Sequence, residues 1–237
     1  MKLLISPKDE IEAMEAVLGG TDIIDIKNPK EGSLGANFPW VIKKIKEIAA
    51  LKNLEVSAAI GDLNLPGTAS LAALGAASCG VDYVKVGLKV DSEEKAAELA
   101  KAVVLAVKNY NPGIKVVVAG YADFPENDLA DCMKIPGIGM VSGADFVMLD
   151  TLAKNKNKNL FDYLSIDELE KFTCDAHNFG LSVALGGSLN REHIKPLYKI
   201  GVDVIGIRGA ACELNDRNGM IKKEKVRELK DIIKKLG

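Results

Sequence analysis

Asp22-Ile23-Ile24-Asp25-Ile26-Lys27-Asn28-Pro29 reads as a short buried strand that carries charge at its exit. Strand side chains alternate, so Asp25 and Lys27 share one face while Ile24 and Ile26 share the other. Asn28-Pro29 ends the strand, because proline has no N–H for a ladder and restricts the residue before it. An aspartate and a lysine side by side in an apolar strand are costly unless they pair or do chemistry. The stretch is therefore either a structural ion pair or part of a site.

The same pattern recurs along the chain. Strands are predicted at 3–6, 22–27, 55–60, 82–87, 114–120, 145–150, 182–187 and 203–208. Helical periodicity falls between them at 8–18, 38–49, 69–78, 92–109, 166–179, 191–200 and 222–236, with an ill-defined segment in 128–141. Gly20-Thr21-Asp22, Gly80-Val81-Asp82, Gly143-Ala144-Asp145 and Gly201-Val202-Asp203 each place a helix-ending glycine just before a strand. The strands are nearly continuous in apolar residues, as in a parallel sheet covered on both faces. Eight strand–helix units in 237 residues predict a single (β/α)8 TIM barrel over 1–237. A doubly wound open sheet is the alternative, but Ser6-Pro7-Lys8 lacks the glycine-rich nucleotide turn such a sheet carries after its first strand.

Composition narrows the function. A net charge of −2 supplies no basic field for nucleic acid, and no run of about 18 apolar residues predicts a membrane span. The four cysteines are widely spaced with no C-x-x-C, which suits reduced thiols in a cytoplasmic protein. Both histidines, His177 and His193, fall in helical segments, so a zinc site of clustered histidines is not expected. No G-x-x-x-x-G-K-[ST] loop implies a nucleoside triphosphate. Asp25, Asp62 and Asp150 could hold magnesium, but the lysines beside them argue against it. A homo-oligomer is a general expectation for such a chain.

In a barrel, active sites collect at the C-terminal ends of the strands. Those ends carry Asp25 and Lys27, then Lys85, Asp150 with Lys154 beyond it, and Arg208. These come from strands two, four, six and eight, which feed the same interior layers. Desolvation and a neighbouring cation both favour the neutral form of a lysine amine, which can then attack a carbonyl and form a Schiff base. A second lysine and an aspartate could move protons. The competing use of the same lysines is an ionic phosphate clamp. Gly186-Gly187-Ser188 after strand seven and Gly206, Arg208 and Gly209 around the end of strand eight fall where this fold usually binds phosphate.

Several longer stretches resemble a known family. They are Asp25-Ile26-Lys27-Asn28-Pro29-Lys30-Glu31-Gly32-Ser33-Leu34-Gly35-Ala36-Asn37, Asp82-Tyr83-Val84-Lys85-Val86-Gly87-Leu88, Ala119-Gly120-Tyr121-Ala122-Asp123, Met148-Leu149-Asp150-Thr151 and Gly206-Ile207-Arg208-Gly209-Ala210-Ala211-Cys212. Nearly end to end, the chain is similar to the (5-formylfuran-3-yl)methyl phosphate synthases of methanofuran biosynthesis. The segment 124–143 and the Gly186-Gly187-Ser188 loop depart from that pattern.

The resemblance implies a barrel enzyme that condenses two molecules of glyceraldehyde 3-phosphate, with loss of phosphate and water. It implies Lys27 as the Schiff-base lysine, Lys85 as the acid/base lysine, Asp25, Asp150 and Lys154 as further active-site residues, and no metal or organic cofactor. Alternatives from the residues themselves are a Schiff-base aldolase on another sugar phosphate, a pyridoxal-phosphate enzyme and a non-catalytic phosphometabolite-binding barrel.

Overall fold

The computed structural model describes residues 1–153 and 158–237. Its strands are β1 (Lys2–Ile5), β2 (Ile23–Ile26), β3 (Glu55–Leu63), β4 (Tyr83–Leu88), β5 (Lys115–Tyr121), β6 (Phe146–Asp150), β7 (Ser182–Leu185) and β8 (Val204–Ile207). All pair in parallel and in chain order, and β8 closes on β1. The helices are α1 (Glu10–Gly19), α2 (Pro39–Ala50), α3 (Pro66–Ala77), α4 (Glu93–Tyr110), α5 (Ile135–Ser142), α6 (Ile166–Asn178), α7 (Arg191–Lys199) and α8 (Lys223–Lys234). The expected TIM barrel is the observed fold.

The interior is layered as the strand register dictates. Ile23, Tyr83, Phe146 and Val204 come from the even strands and Leu4, Val117 and Ala184 from odd ones, and together they pack the lower half. One alternation higher, the even strands bring Asp25, Lys85, Met148 and Gly206 to a common level. Above that level lie Lys27 and Asp150. The barrel is thus apolar through its lower half, over a floor of Lys2, Glu55 and Lys115, and charged again at its mouth. Small residues, Gly186 just after β7 and Gly206 on β8, leave room there.

The recurrent glycine–aspartate signal has a structural cause. Gly20, Gly80, Gly143 and Gly201 take φ values of +87°, +79°, +77° and +83°, turning the chain from an odd helix into an even strand. The aspartate that follows then latches the strand before it. Leu3 N–H donates to Asp22 at 2.7 Å, Val56 N–H to Asp82 at 2.7 Å, Val116 N–H to Asp145 at 2.7 Å and Val183 N–H to Asp203 at 2.8 Å. Each carboxylate also meets a basic side chain from an even helix. Lys230 reaches Asp22 at 2.6 Å, Lys46 reaches Asp82 at 2.5 Å, Lys108 reaches Asp145 at 2.8 Å and His177 reaches Asp203 at 2.9 Å.

Element boundaries differ from expectation where backbone geometry intervenes. β2 ends at Ile26, so Lys27 is the first residue of the loop rather than the last of the strand. β3 runs on to Leu63 through an irregular register between Ala59 and Asp62, where Gly61 sits at φ +124°. The ill-defined segment in 128–141 becomes a short 3-10 turn (Cys132–Lys134) leading into α5, with Pro136 in the first turn of that helix where its missing N–H costs nothing.

Candidate active site

A cleft of about 930 Å³ opens at the C-terminal ends of β7, β8 and β1. Asp25, Lys27, Asp150, Gly186, Gly206 and Arg217 are among its lining residues. Gly186, just after β7, and Gly206 on β8 line it. A Cβ at Gly186 would come within 3.0 Å of the Met148 methyl and 3.3 Å of the Asp150 carboxyl carbon.

Asp25 is fully buried at the centre. Its Oδ1 accepts from the Lys85 ammonium at 2.6 Å, and its Oδ2 accepts from the Ser6 hydroxyl at 2.9 Å. Burial alone would raise the Asp25 carboxyl. The Lys85 and Lys27 ammonium groups, with the bonds from Lys85 and Ser6, outweigh burial and hold it below the usual carboxylate range. Lys27 lies above Asp25 on the same face and lines the cleft, 8% exposed. Lys85, 1% exposed, belongs to the same layer as Asp25 but does not line the cleft; it borders a small space of about 20 Å³ among the barrel-interior side chains. The two lysines therefore flank one carboxylate, one toward the cleft and one toward the barrel interior.

Asp150 is buried at the end of β6, and its Oδ1 accepts from the Thr151 N–H at 2.8 Å. Lys154 lies outside the described residues. The chain leading to it is held by Asp123, a fully buried carboxylate that accepts from the N–H groups of Leu152 at 2.7 Å and Ala153 at 2.8 Å.

The glycine turns form a cradle over the cleft. Gly187 and Ser188 take φ values of +93° and +56°. Asn190 caps the start of α7, accepting from the Glu192 N–H at 2.8 Å. Among the described residues, the N–H groups of Gly187, Ser188, Gly209 and Ala210 donate to no protein acceptor. Backbone donors left open beside a helix N-terminus are the usual setting for an anion.

Arg208, expected among the phosphate ligands, lines the cleft with its guanidinium engaged by the protein itself. Its guanidinium donates to Glu12 at 2.8 and 3.3 Å, to the Ser6 carbonyl at 2.6 Å and to the Arg217 carbonyl at 2.9 Å. Glu12 is fully buried and also meets Lys8 at 3.1 Å. This ties the ends of β1 and β8 together beneath the cradle.

The loop after β2 covers the opposite side of the mouth. Asp62, turned inward by the irregularity at Gly61, accepts from the Ser33 N–H at 2.8 Å, from the Leu34 N–H at 3.1 Å and from the Tyr121 hydroxyl. Burial, and then Asp62 itself, push the Tyr121 phenol well above its ordinary value, so it remains a donor. The Ser33 hydroxyl reaches the Thr151 carbonyl at 2.9 Å. Leu34 is fully buried and packs with the barrel-interior side chains. Sequence reasoning assigned no role to Ser6, Glu12, Ser33, Tyr121 or Arg217. For Tyr121 the signal was present in its apolar strand beside Gly120. For the others, only the three-dimensional pairing reveals them.

Among the described residues, no group of three or more His, Cys, Asp or Glu side chains converges as a metal site, and no helix is long and apolar enough to cross a membrane.

Comparison with known proteins places this geometry in context. The profile of the 4-HFC-P synthase family matches residues 3–230. The (5-formylfuran-3-yl)methyl phosphate synthase of Methanothermobacter thermautotrophicus is 51% identical over 236 residues, covering 98% of this chain and 99% of that protein. Its counterpart in Methanocaldococcus jannaschii is 52% identical, covering 99% of this chain and all of that protein. Among solved structures, a 3-hexulose-6-phosphate synthase superposes with a TM-score of 0.66 at 20% identity, covering 98% of this chain and 100% of that one. The KGPDC of Streptococcus mutans superposes with a TM-score of 0.63 at 15% identity, covering 99% of this chain and 98% of that one. At such identities these two structures speak to the barrel alone.

Proposed function

The chain belongs to the 4-HFC-P synthase family, and from that premise we propose that it makes (5-formylfuran-3-yl)methyl phosphate from two molecules of glyceraldehyde 3-phosphate. The reaction proceeds through a Schiff base on Lys27, with loss of phosphate and water, as a step of methanofuran biosynthesis. It is a carbon–oxygen lyase reaction by its eliminations and an aldolase reaction by its carbon–carbon bond. The observation that carries this reading is the arrangement of Lys27, Asp25 and Lys85. An amine facing the cleft stands over a buried carboxylate that a second lysine keeps ionised.

One triose phosphate first isomerises to its ketone. The Lys27 nitrogen adds to the ketone carbon, and the carbinolamine expels water to give an iminium ion. Loss of a proton from the adjacent carbon yields the enamine, whose carbon attacks the aldehyde of the second triose phosphate. Asp25 is the base within reach of Lys27, and the proton it takes up is passed on through Lys85, which is bonded to the same carboxylate. Asp150 and Lys154 serve the later eliminations and ring closure. The open N–H groups at Gly187, Ser188 and Gly209, with the space left by Gly186 and Gly206, receive substrate phosphate. A homo-oligomer belongs to the same proposal. Trp40, Leu71 and Leu105, exposed on the successive helices α2, α3 and α4, support it.

Borohydride added during turnover should leave a reduced triose adduct on the peptide carrying Lys27, seen by intact mass and peptide mapping. Lys27→Ala should lose both the adduct and about 10³-fold or more in kcat. An adduct on Lys85 would exchange the two lysine roles, and furan absorbance without any adduct would sink the covalent mechanism.

A further inference from the structure

Beyond β8 the chain makes a detour that the barrel fold does not require. After the short turn Gly209–Ala211 it passes through Leu214 and Asn215, at φ +53° and +57°. It then reverses at Asp216, which accepts from the Asn218 N–H at 3.0 Å and the Gly219 N–H at 2.8 Å. It returns to pair Ile221 with Cys212. The detour lays Arg217 back over Gly209: a Cβ at Gly209 would stand 3.8 Å from the Arg217 Cβ. Arg208 holds the detour in place by donating its Nε–H to the Arg217 carbonyl at 2.9 Å.

Arg217 is half-buried and lines the cleft with Lys27 and Asp150. Among the described residues, no side chain or carbonyl hydrogen-bonds or ion-pairs with its guanidinium. Withdrawing a charge from water without a partner is costly, and a guanidinium presents a planar fork that fits a phosphate with two parallel hydrogen bonds. The open N–H groups of Gly209 and Ala210 lie beside it. Burial pulls the Arg217 guanidinium down from its ordinary value while Asp150 acts against that, which places the group within the field of the site.

We propose that Arg217 is the cationic ligand of the substrate phosphate over the Gly187–Gly209 cradle and the residue that selects a phosphorylated over an unphosphorylated triose. Arg208 is the positioning residue that fixes its backbone. The proposal rests on the triose-phosphate reading above for the identity of the substrate. Its binding half stands without turnover.

The test measures calorimetric binding of inorganic phosphate and of glycerol 3-phosphate, together with KM and kcat for glyceraldehyde 3-phosphate and for unphosphorylated glyceraldehyde. Arg217→Gln should weaken phosphate binding and raise KM about 100-fold with a much smaller change in kcat. The preference for the phosphorylated substrate should collapse in parallel. Arg217→Lys should recover only part of the affinity, because a point charge lacks the fork. Phosphate affinity unchanged in Arg217→Gln overturns the proposal, as does a loss confined to kcat. Wild-type protein that binds phosphate through Arg217 yet forms no furan from glyceraldehyde 3-phosphate would retire the reaction proposed above and leave this assignment standing. Furan formation with an Arg217→Gln variant of normal affinity would do the reverse.

Discussion

At the scale of single residues, two of the buried carboxylates, Asp25 and Glu12, divide the work. Asp25 faces the chemistry, whereas Glu12 holds Arg208 and through it the ends of β1 and β8. Burial would raise the Glu12 carboxyl, but the hydrogen bonds from Arg208 and Lys8 and the Arg208 charge bring it below its ordinary 4.5. A carboxyl lowered in the folded state stabilises the fold above 4.5, and that contribution is lost as pH falls through the lowered value. Glu12→Gln should therefore cost about 3 kcal/mol at pH 7 in urea unfolding. The gap to wild type should narrow in acid, where the wild type gives up the same charge. Asp25, Lys27, Lys85 and Asp150 were legible in the sequence because charge at a strand end breaks an otherwise apolar run. The use of Arg208 was not legible, because its partner Glu12 lies on α1, at the other end of the chain, and looks like any carboxylate in a helical first turn.

Among elements, the loop between β2 and α2 is the least ordinary. It leaves the strand at Lys27, crosses the barrel mouth and drives Leu34 into the interior, fixed by Asp62 from β3 and the Thr151 carbonyl after β6. Its glycines serve close approach: a Cβ at Gly32 would lie 2.2 Å from the Asp62 carboxylate, and one at Gly35 would lie 2.3 Å from the Asn28 carbonyl. Asp62→Asn weakens a charge-assisted anchor worth about 1.5–3 kcal/mol. The Ser33 and Leu34 amides should then exchange with solvent about 10- to 100-fold faster by native-state hydrogen exchange, with the core strands unaffected. Exchange that stays at the wild-type rate would show that Leu34 packing alone holds the loop. The eight strands and their order could be read from apolar runs and glycine–aspartate punctuation. The path of this loop could not, since its anchors Asp62 and Thr151 are 29 and 118 residues from Ser33.

Over the whole molecule, the aspartate latches occupy the end of the barrel opposite the cleft. Some exposed apolar side chains lie on the outer helices; Trp40 and Leu71 are 68% and 73% accessible there. Sedimentation equilibrium should find the protein self-associated, and Leu71→Glu should shift it toward the monomer; a wild-type monomer at micromolar concentration would end the expectation. At the base, each of the four aspartate latches joins an even helix, the odd strand that follows it and the next even strand. Asp82, for example, gathers α2, β3 and β4, while Asp22 gathers α8, β1 and β2 across the two ends of the chain. The ring is thus four equivalent quarters, and the connections between quarters are the loops after β2, β4, β6 and β8. Those are the loops that carry Lys27, Asp150 and Arg217 or lie beside them. A lineage built on this plan can rewrite its catalytic loops by insertion or exchange without reopening a single latch, so new substrates can be explored while the architecture is inherited intact.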